Sequence, residues 1–274
     1  MYTIDGIPPV DPAGVYKLLA GTGVRGFAGR RAGALELPGM HGEILDTRSP
    51  VLPGTLPVSY RFYAQSHGAM MAAYERMLGV FGQSKLLEIS HDYGNGQTRV
   101  NWGQVIQAAP PELPLCNYSR FTVTLHLPNP FWRSPGVVTA GTPALTTTLS
   151  VYALQDFVST GPISDALIRV KGAFSTARVV DAVTGDQIDI TAPVAASQYV
   201  VIDTATWSAR LVTSDTWAGG TDFTANVETN RGRGHMFTLE PDQLATGGRY
   251  RVRVRATNPS SSPVVEVRAR LSYH

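Results

Sequence analysis

The chain has 274 residues, 43% of them hydrophobic and 16% charged, with a formal net charge of +2 at pH 7. That is enough apolar material for packed cores and too little charge for a disordered chain, at a length that suits two domains. The balance lacks the concentrated basic surplus of a nucleic-acid binder, and no apolar run approaches the ~20 residues of a membrane helix.

The first residues, Met1-Tyr2-Thr3-Ile4-Asp5, show no basic segment ahead of an apolar one. No secretory signal is therefore expected, and synthesis in a reducing cytoplasm is. Gly6 to Pro12 is broken by prolines, and Val15 to Leu19 reads as a strand. Gly21-Thr22-Gly23-Val24-Arg25-Gly26 then matches G-x-G-x-x-G, with Asp46 about 20 residues on. A dinucleotide site needs a helix opening at that loop, because the helix N-terminus holds the pyrophosphate. The following Phe27 to Gly33 is too glycine-rich and aperiodic for such a helix, so a flexible loop is expected and no cofactor.

Val58 to Ala64 reads as a strand leading into a helix over 66–81, with Ser66 as its N-cap. Met70, Met71, Tyr74, Met77, Leu78 and Phe81 form a stripe of period 3.6, expected to pack into a core. Lys85 to Ser90, Thr98 to Ala108 and Arg120 to Leu127 read as strands, the first two joined by the turn Asp92-Tyr93-Gly94-Asn95-Gly96. The order β-α-β-β-β implies an α+β domain with one helix on an antiparallel sheet. Cys116, the one cysteine, can form neither an intrachain disulfide nor a CxxC metal site, and is expected as a small buried side chain.

Leu127 to Gly136 holds three prolines and marks a boundary, giving domains 1–134 and 135–274. Val137 to Thr148 reads as a linker with an opening strand. Beyond it the helical period vanishes. Ile168 and Val170 alternate with Arg169 and Lys171; Gln187 to Thr191, Gln198 to Asp203 and Trp207 to Val212 follow as strands. Tyr250, Val252 and Val254 alternate with arginines, as do Val265, Val267 and Ala269 with Glu266, Arg268 and Arg270. Short alternating strands at this spacing imply a β-sandwich of jelly-roll type. The whole chain is thus mainly β.

Motifs for chemistry are sparse. The six histidines form no metal pair, and no nucleophile elbow or phosphate loop appears. Asp181 to Asp189 lacks the closing Glu of a calcium loop and reads as a hairpin turn. Glu228, Glu240 and Asp222 are the carboxylates to consider for a two-carboxylate hydrolase, but their spacing does not separate them from surface charges. No catalytic, cofactor or metal site is expected. Arg249, Arg251, Arg253 and Arg255 fall on one strand face, with Arg268 and Arg270 expected on a hairpin partner across the loop Pro259-Ser260-Ser261-Ser262. Residues 135–274 carry 12 Lys/Arg and 12 Asp/Glu, so this ladder is a local feature. It reads as a solvated face with interleaved acids or as a contact for a subunit or an acidic polymer. Trp207, Trp217 and Tyr199 are placed either in the sandwich core or as sugar-stacking platforms.

Three co-linear stretches resemble the distal tail protein of long, non-contractile-tailed phages. They are Leu35-Glu36-Leu37-Pro38-Gly39-Met40-His41-Gly42 with the strand bearing Tyr60-Arg61-Phe62; Phe121 to Trp132 with its Pro130-Phe131-Trp132 exit; and Ile168 to Gly172, Val183 to Asp186 and Val200 to Thr204. Departures are the proline-broken start and the loop Gly21 to Gly33, rich in glycine and arginine. The resemblance implies a galectin-like C-terminal sandwich and a hexameric ring built by the N-terminal domains in the virion. It also implies docking to the tail tube protein on one face and the tip hub on the other, with outward domains carrying receptor-binding proteins or touching cell-surface glycans. Arg25, Arg30 and Arg31 are then candidates for subunit or lumen contacts, and Trp207, Trp217, Arg249, Arg251, Arg253 and Arg255 for partner or glycan contacts. The main alternative is a carbohydrate-binding adhesion module.

Overall fold

The computed structural model describes residues 1–19, 34–36, 43–45, 52–109, 118–230 and 237–274. The chain divides into two compact units, Met1–Trp132 with His274, and Arg133–Tyr273.

The first unit contains β1 (Tyr2–Ile4), β2 (Tyr16–Leu18), β3 (Ala34–Glu36), β4 (Glu43–Leu45), β5 (Gly54–Tyr63), α1 (His67–Phe81), β6 (Leu87–Asp92), β7 (Thr98–Ala109) and β8 (Tyr118–Leu127), with β9 (Trp132–Arg133) at its end. Six of these strands form a sheet path, β1-β6-β7-β8-β5-β2, that is antiparallel throughout, with β9 also pairing β7. Strands β3 and β4 pair with each other in a separate two-stranded sheet. The helix forms where the sequence places it: Ser66 stays extended at φ −139° and its Oγ accepts from the Ala69 N–H at 3.2 Å. Met70, Ala73, Met77 and Phe81 are its buried face. Phe81 meets Tyr60 at 6.1 Å and Phe121 at 5.8 Å between ring centroids, and Tyr74 meets Phe121 at 5.6 Å. The methionine stripe is therefore core packing. Leu78 departs from it at 40% exposure, because one step past Met77 rotates it 100° to the flank.

The alternation of β5 and β8 follows from this one-sided cover. Leu56, Val58, Tyr60 and Phe62, with Phe121, Val123, Leu125 and Leu127, are buried on the helix side. The opposite face carries Thr55, Pro57, Arg61, Tyr63, Tyr118, Arg120 and Thr122. Strand β1 lies in the segment ahead of the first prolines and is anchored by pairing of Tyr2, Thr3 and Ile4 with His91, Ser90 and Ile89.

The second unit contains β10 (Val138–Gly141), β11 (Ser150–Val158), β12 (Leu167–Lys171), β13 (Thr176–Asp181), β14 (Gln187–Ile190), β15 (Tyr199–Asp203), β16 (Ser208–Val212), β17 (Thr221–Asp222), β18 (Val227–Thr229), β19 (Pro241–Asp242), the single-turn α2 (Gln243–Thr246), β20 (Arg249–Thr257), β21 (Val265–Ala269) and β22 (Ser272–Tyr273). One sheet runs β10-β21-β12-β15-β16-β17, and the other β11-β20-β13-β14-β18 with β19 also on β20. Ile168, Val170, Val200, Ile202, Val265 and Val267 from the first share one core with Val179, Ile188, Ile190, Tyr250, Val252 and Val254 from the second. This is a two-sheet sandwich, and each side chain so buried contributes roughly 1.5–3 kcal/mol by leaving water.

One expectation is overturned. Strands β20 and β21 are not hairpin partners; they lie in opposite sheets. The loop between them holds Asn258, Ser261 and Ser262 at φ of 49°, 53° and 52°, and carries the chain across the core. Period-two alternation tells inside from outside and nothing about which sheet a strand joins.

Candidate interaction surfaces

The arginine ladder occupies the outer face of β20, opposite the buried Tyr250, Val252, Val254 and Ala256. Its surroundings are largely compensated. Arg251 pairs with Asp242, and Arg253 donates to the Ala182 carbonyl at 3.4 Å. Arg255 stands opposite Arg178, Arg178 opposite Asp189, and Asp189 opposite Glu228, so one row of four charges crosses β20, β13, β14 and β18. Within it Arg178 grips Asp189 with a fork, Nε at 2.6 Å and Nη2 at 3.2 Å. Next to this row Thr176 donates to Thr257 at 2.9 Å. The two rows, with Thr191, line a polar groove of 260 Å³. The acids interleaved with the arginines came from neighbouring strands, where only the register reveals them.

The other sheet holds a cluster that the sequence did not single out. Arg169 on β12 points away from the core, yet it is 6% exposed. Its Nε donates to Glu266 at 2.7 Å and its Nη1 to Asp215 at 2.5 Å. The guanidinium lies 4.5 Å from the Trp217 ring and 5.0 Å from the Tyr199 ring, and the Arg268 guanidinium lies 5.7 Å from the Trp217 ring. Trp217 thus covers an arginine. Trp207 sits at φ 50° in the turn before β16, half-buried against the sandwich core. The two tryptophans do not converge on a shared platform. A signal for Arg169 existed in principle: an arginine between two apolar residues, with a tryptophan-bearing loop available to cover it.

Carboxylates with shifted titration are explained by local structure. Burial pushes the Asp181 carboxyl up, against hydrogen bonds that pull it down. Its Oδ2 accepts from the Val183 and Thr184 N–H groups at 3.1 and 2.7 Å and from the Thr184 hydroxyl at 2.9 Å, while Oδ1 accepts from the Glu240 N–H at 3.2 Å. This locks the β13–β14 turn, with Gly185 at φ 74°. Asp222 is held low by the Thr224 hydroxyl and N–H. Glu228 lies on β18 and Asp222 on β17, in different sheets, and Glu240 precedes β19. Among the described residues no three His, Cys, Asp or Glu side chains cluster as metal ligands. Arg25, Arg30, Arg31, Cys116, the loop Gly21 to Gly33 and most of Leu35 to Gly42 lie outside the described residues.

No family model and no curated protein matches the sequence. Among solved structures the chain is similar to the SPP1 Dit (gp 19.1) protein, described as a paradigm of the hub adsorption apparatus in phages infecting Gram-positive hosts. The TM-score is 0.56 at 14% identity, with 99% of each chain covered. It is also similar to the phage P2 baseplate in its activated conformation with Ca, at a TM-score of 0.38 and 9% identity over 93% of this chain and 91% of that one, a likeness too slight to argue from. Over 99% of its length the chain therefore has the fold of the SPP1 Dit protein.

Proposed function

We propose that this chain is a structural component of the tip of a long, non-contractile phage tail, carried in the virion. It forms a hexameric ring that joins the tail tube to the tip hub and to receptor-binding parts. The observation that carries this reading is the fold likeness to the SPP1 Dit protein across both units, with 99% of each chain covered. A physical observation supports it. An isolated two-stranded hairpin is marginal in water, and among the described residues β3–β4 pairs with none of the three larger sheets, so it gains most from a neighbour. A head-to-tail interface repeated with the right rotation closes into a ring. The role is mechanical and templating, with no reaction assigned.

The test is native mass at high concentration, followed by negative stain. A ring of six copies, each of 29.5 kDa, is expected. A chain that stays monomeric alone and in the presence of isolated tail tubes overturns the reading.

A second reading, a host-surface carbohydrate-binding module, draws on the 260 Å³ groove, where Thr176, Arg178, Asp189 and Arg255 offer convergent polar groups. It requires glycan binding by fragment 140–274 that is lost on Arg255→Ala. Binding that is instead lost on truncating Trp217 would move the contact to the opposite sheet.

A further inference from the structure

Arg253 and Arg255 stand two positions apart on the outer face of β20, roughly 7 Å along the strand, and both are exposed. Among the described residues neither has an acidic partner, and Arg253 makes one long hydrogen bond, to the Ala182 carbonyl at 3.4 Å. The stretch of the second unit outside those residues, 231–236, contains Arg231, Arg233 and His235 and no acid. Arg255 is also set directly opposite Arg178 on β13. Like charges directly opposite destabilise a sheet unless something offsets them.

The acids of the same row do not supply that offset. Both oxygens of Asp189 accept from the Arg178 fork, and Oδ2 accepts from the Gln187 amide as well. Glu228 lies three strands from Arg255, and strands in a sheet are about 4.8 Å apart, which puts it roughly 14 Å away. The row therefore has a fixed, neutral centre in Arg178 with Asp189, an uncompensated cation at the β20 end and an acid at the β18 end. Alongside it Thr176 and Thr257 are exposed, with their hydroxyls 2.9 Å apart. Thr257 accepts in that bond and keeps its own proton for an outside oxygen.

Arg178, Asp189, Glu228, Arg255 and the two threonines line the 260 Å³ groove. Drug-sized pockets begin at roughly 300 Å³, so this one suits a unit about as large as a sugar ring. A guanidinium is a planar donor that pairs bidentately with a carboxylate or a phosphate, whereas hydroxyls and a pre-formed arginine–carboxylate fork suit sugar hydroxyls. We propose that the groove binds an acidic sugar, a saccharide unit carrying a carboxylate or a phosphate. Arg255 takes the acid group, and Arg253, one step outside the groove, adds to the attraction. Thr176, Thr257 and the Arg178–Asp189 fork take the ring hydroxyls. The proposal rests on the carbohydrate-binding reading and narrows it, because a neutral sugar leaves the repulsion between Arg255 and Arg178 in place.

The experiment presents the full-length chain to a printed array of neutral, uronate-bearing, sialylated and phosphorylated saccharides. Glucuronate, glucose 6-phosphate, glucose and inorganic phosphate are then titrated by saturation-transfer NMR, with melting curves as the folding control. The acidic sugars are expected to bind at least roughly tenfold more tightly than glucose, and Arg255→Ala to abolish that preference. Arg255→Lys should restore only part of it, since an ammonium lacks the fork. A preference for one of the two acids supports the proposal and identifies the group. Arg210→Ala, on β16 of the other sheet, is expected to leave binding unchanged; an equal loss there would trace the attraction to overall charge and overturn the site. Neutral sugars bound as tightly as acidic ones, with binding still lost in Arg255→Ala, overturn the acid requirement and leave the carbohydrate reading standing. Inorganic phosphate bound as tightly as glucose 6-phosphate reduces the groove to an anion contact and overturns the proposal. A chain that binds no saccharide on the array overturns both.

Discussion

Arg169 concentrates more interactions than any single position in the arginine ladder. It is 6% exposed, pairs with Glu266 and Asp215, and lies between Tyr199 and Trp217. Removing one partner of a buried pair leaves the other charge unmatched, at a cost of about 3–5 kcal/mol when both are deeply buried. Asp215 is 72% exposed in its side chain and can return to water, so most of the penalty falls on Glu266. Arg169→Ala is expected to lower stability by about 2 kcal/mol in urea titration, with a shift in tryptophan fluorescence as Trp217 loses its contact. Arg169→Lys should recover little, because an ammonium supplies neither the fork nor the flat stacking surface. Loss of under about 0.5 kcal/mol in the alanine variant would show the cluster to be a surface ornament.

At the scale of elements, α1 illustrates agreement between local signals and packing. Ser66 offers the cap, the 3.6 period supplies the apolar stripe, and the sheet beneath receives it. Ser66→Ala should cost about 1 kcal/mol, read as a lowered melting temperature, and Ser66→Asp should restore most of it. An alanine variant as stable as wild type would mean that packing alone holds the helix start. The strands β11 and β13 illustrate the opposite case. In β11 Asp156 adopts φ 49° and the register shifts between Ala153 and Val158, which breaks the alternation a reader would look for. In β13 the fully buried Asp181 stands where an apolar residue is expected, and its partners come from Val183, Thr184 and Glu240. Neither strand is visible without knowing what satisfies these polar groups.

For the whole molecule, the chain divides into two compact units, and the second has a contiguous buried cluster drawn from both of its six-stranded sheets. We propose that the C-terminal region is an autonomous domain. Fragment 135–274 is expected to unfold in one cooperative transition by calorimetry and to stay monomeric, since the proposed ring is built by the preceding region. A fragment that gives no transition would show that the sandwich needs the preceding region. On the ring reading proposed above, assembly would belong to residues 1–134, and any partner or glycan contact of the second unit would be separable from it.

The sequence by itself determined the class of structure. Period two against period 3.6 separated the strands from α1, the buried and exposed faces of β20 and β21 could be read residue by residue, and the scarcity of catalytic patterns pointed toward assembly. These are local properties, fixed by how successive side chains project from the backbone. The tertiary structure decided what pairing decides: that β20 and β21 belong to opposite sheets, that Trp217 lies over Arg169, and that Asp189 and Glu228 extend the charge row begun by Arg255. It also set Lys17, Arg61 and Arg120 side by side from positions 44 and 59 residues apart in sequence. Register between distant strands is chosen by the packing of the whole core, and no window along the chain contains it.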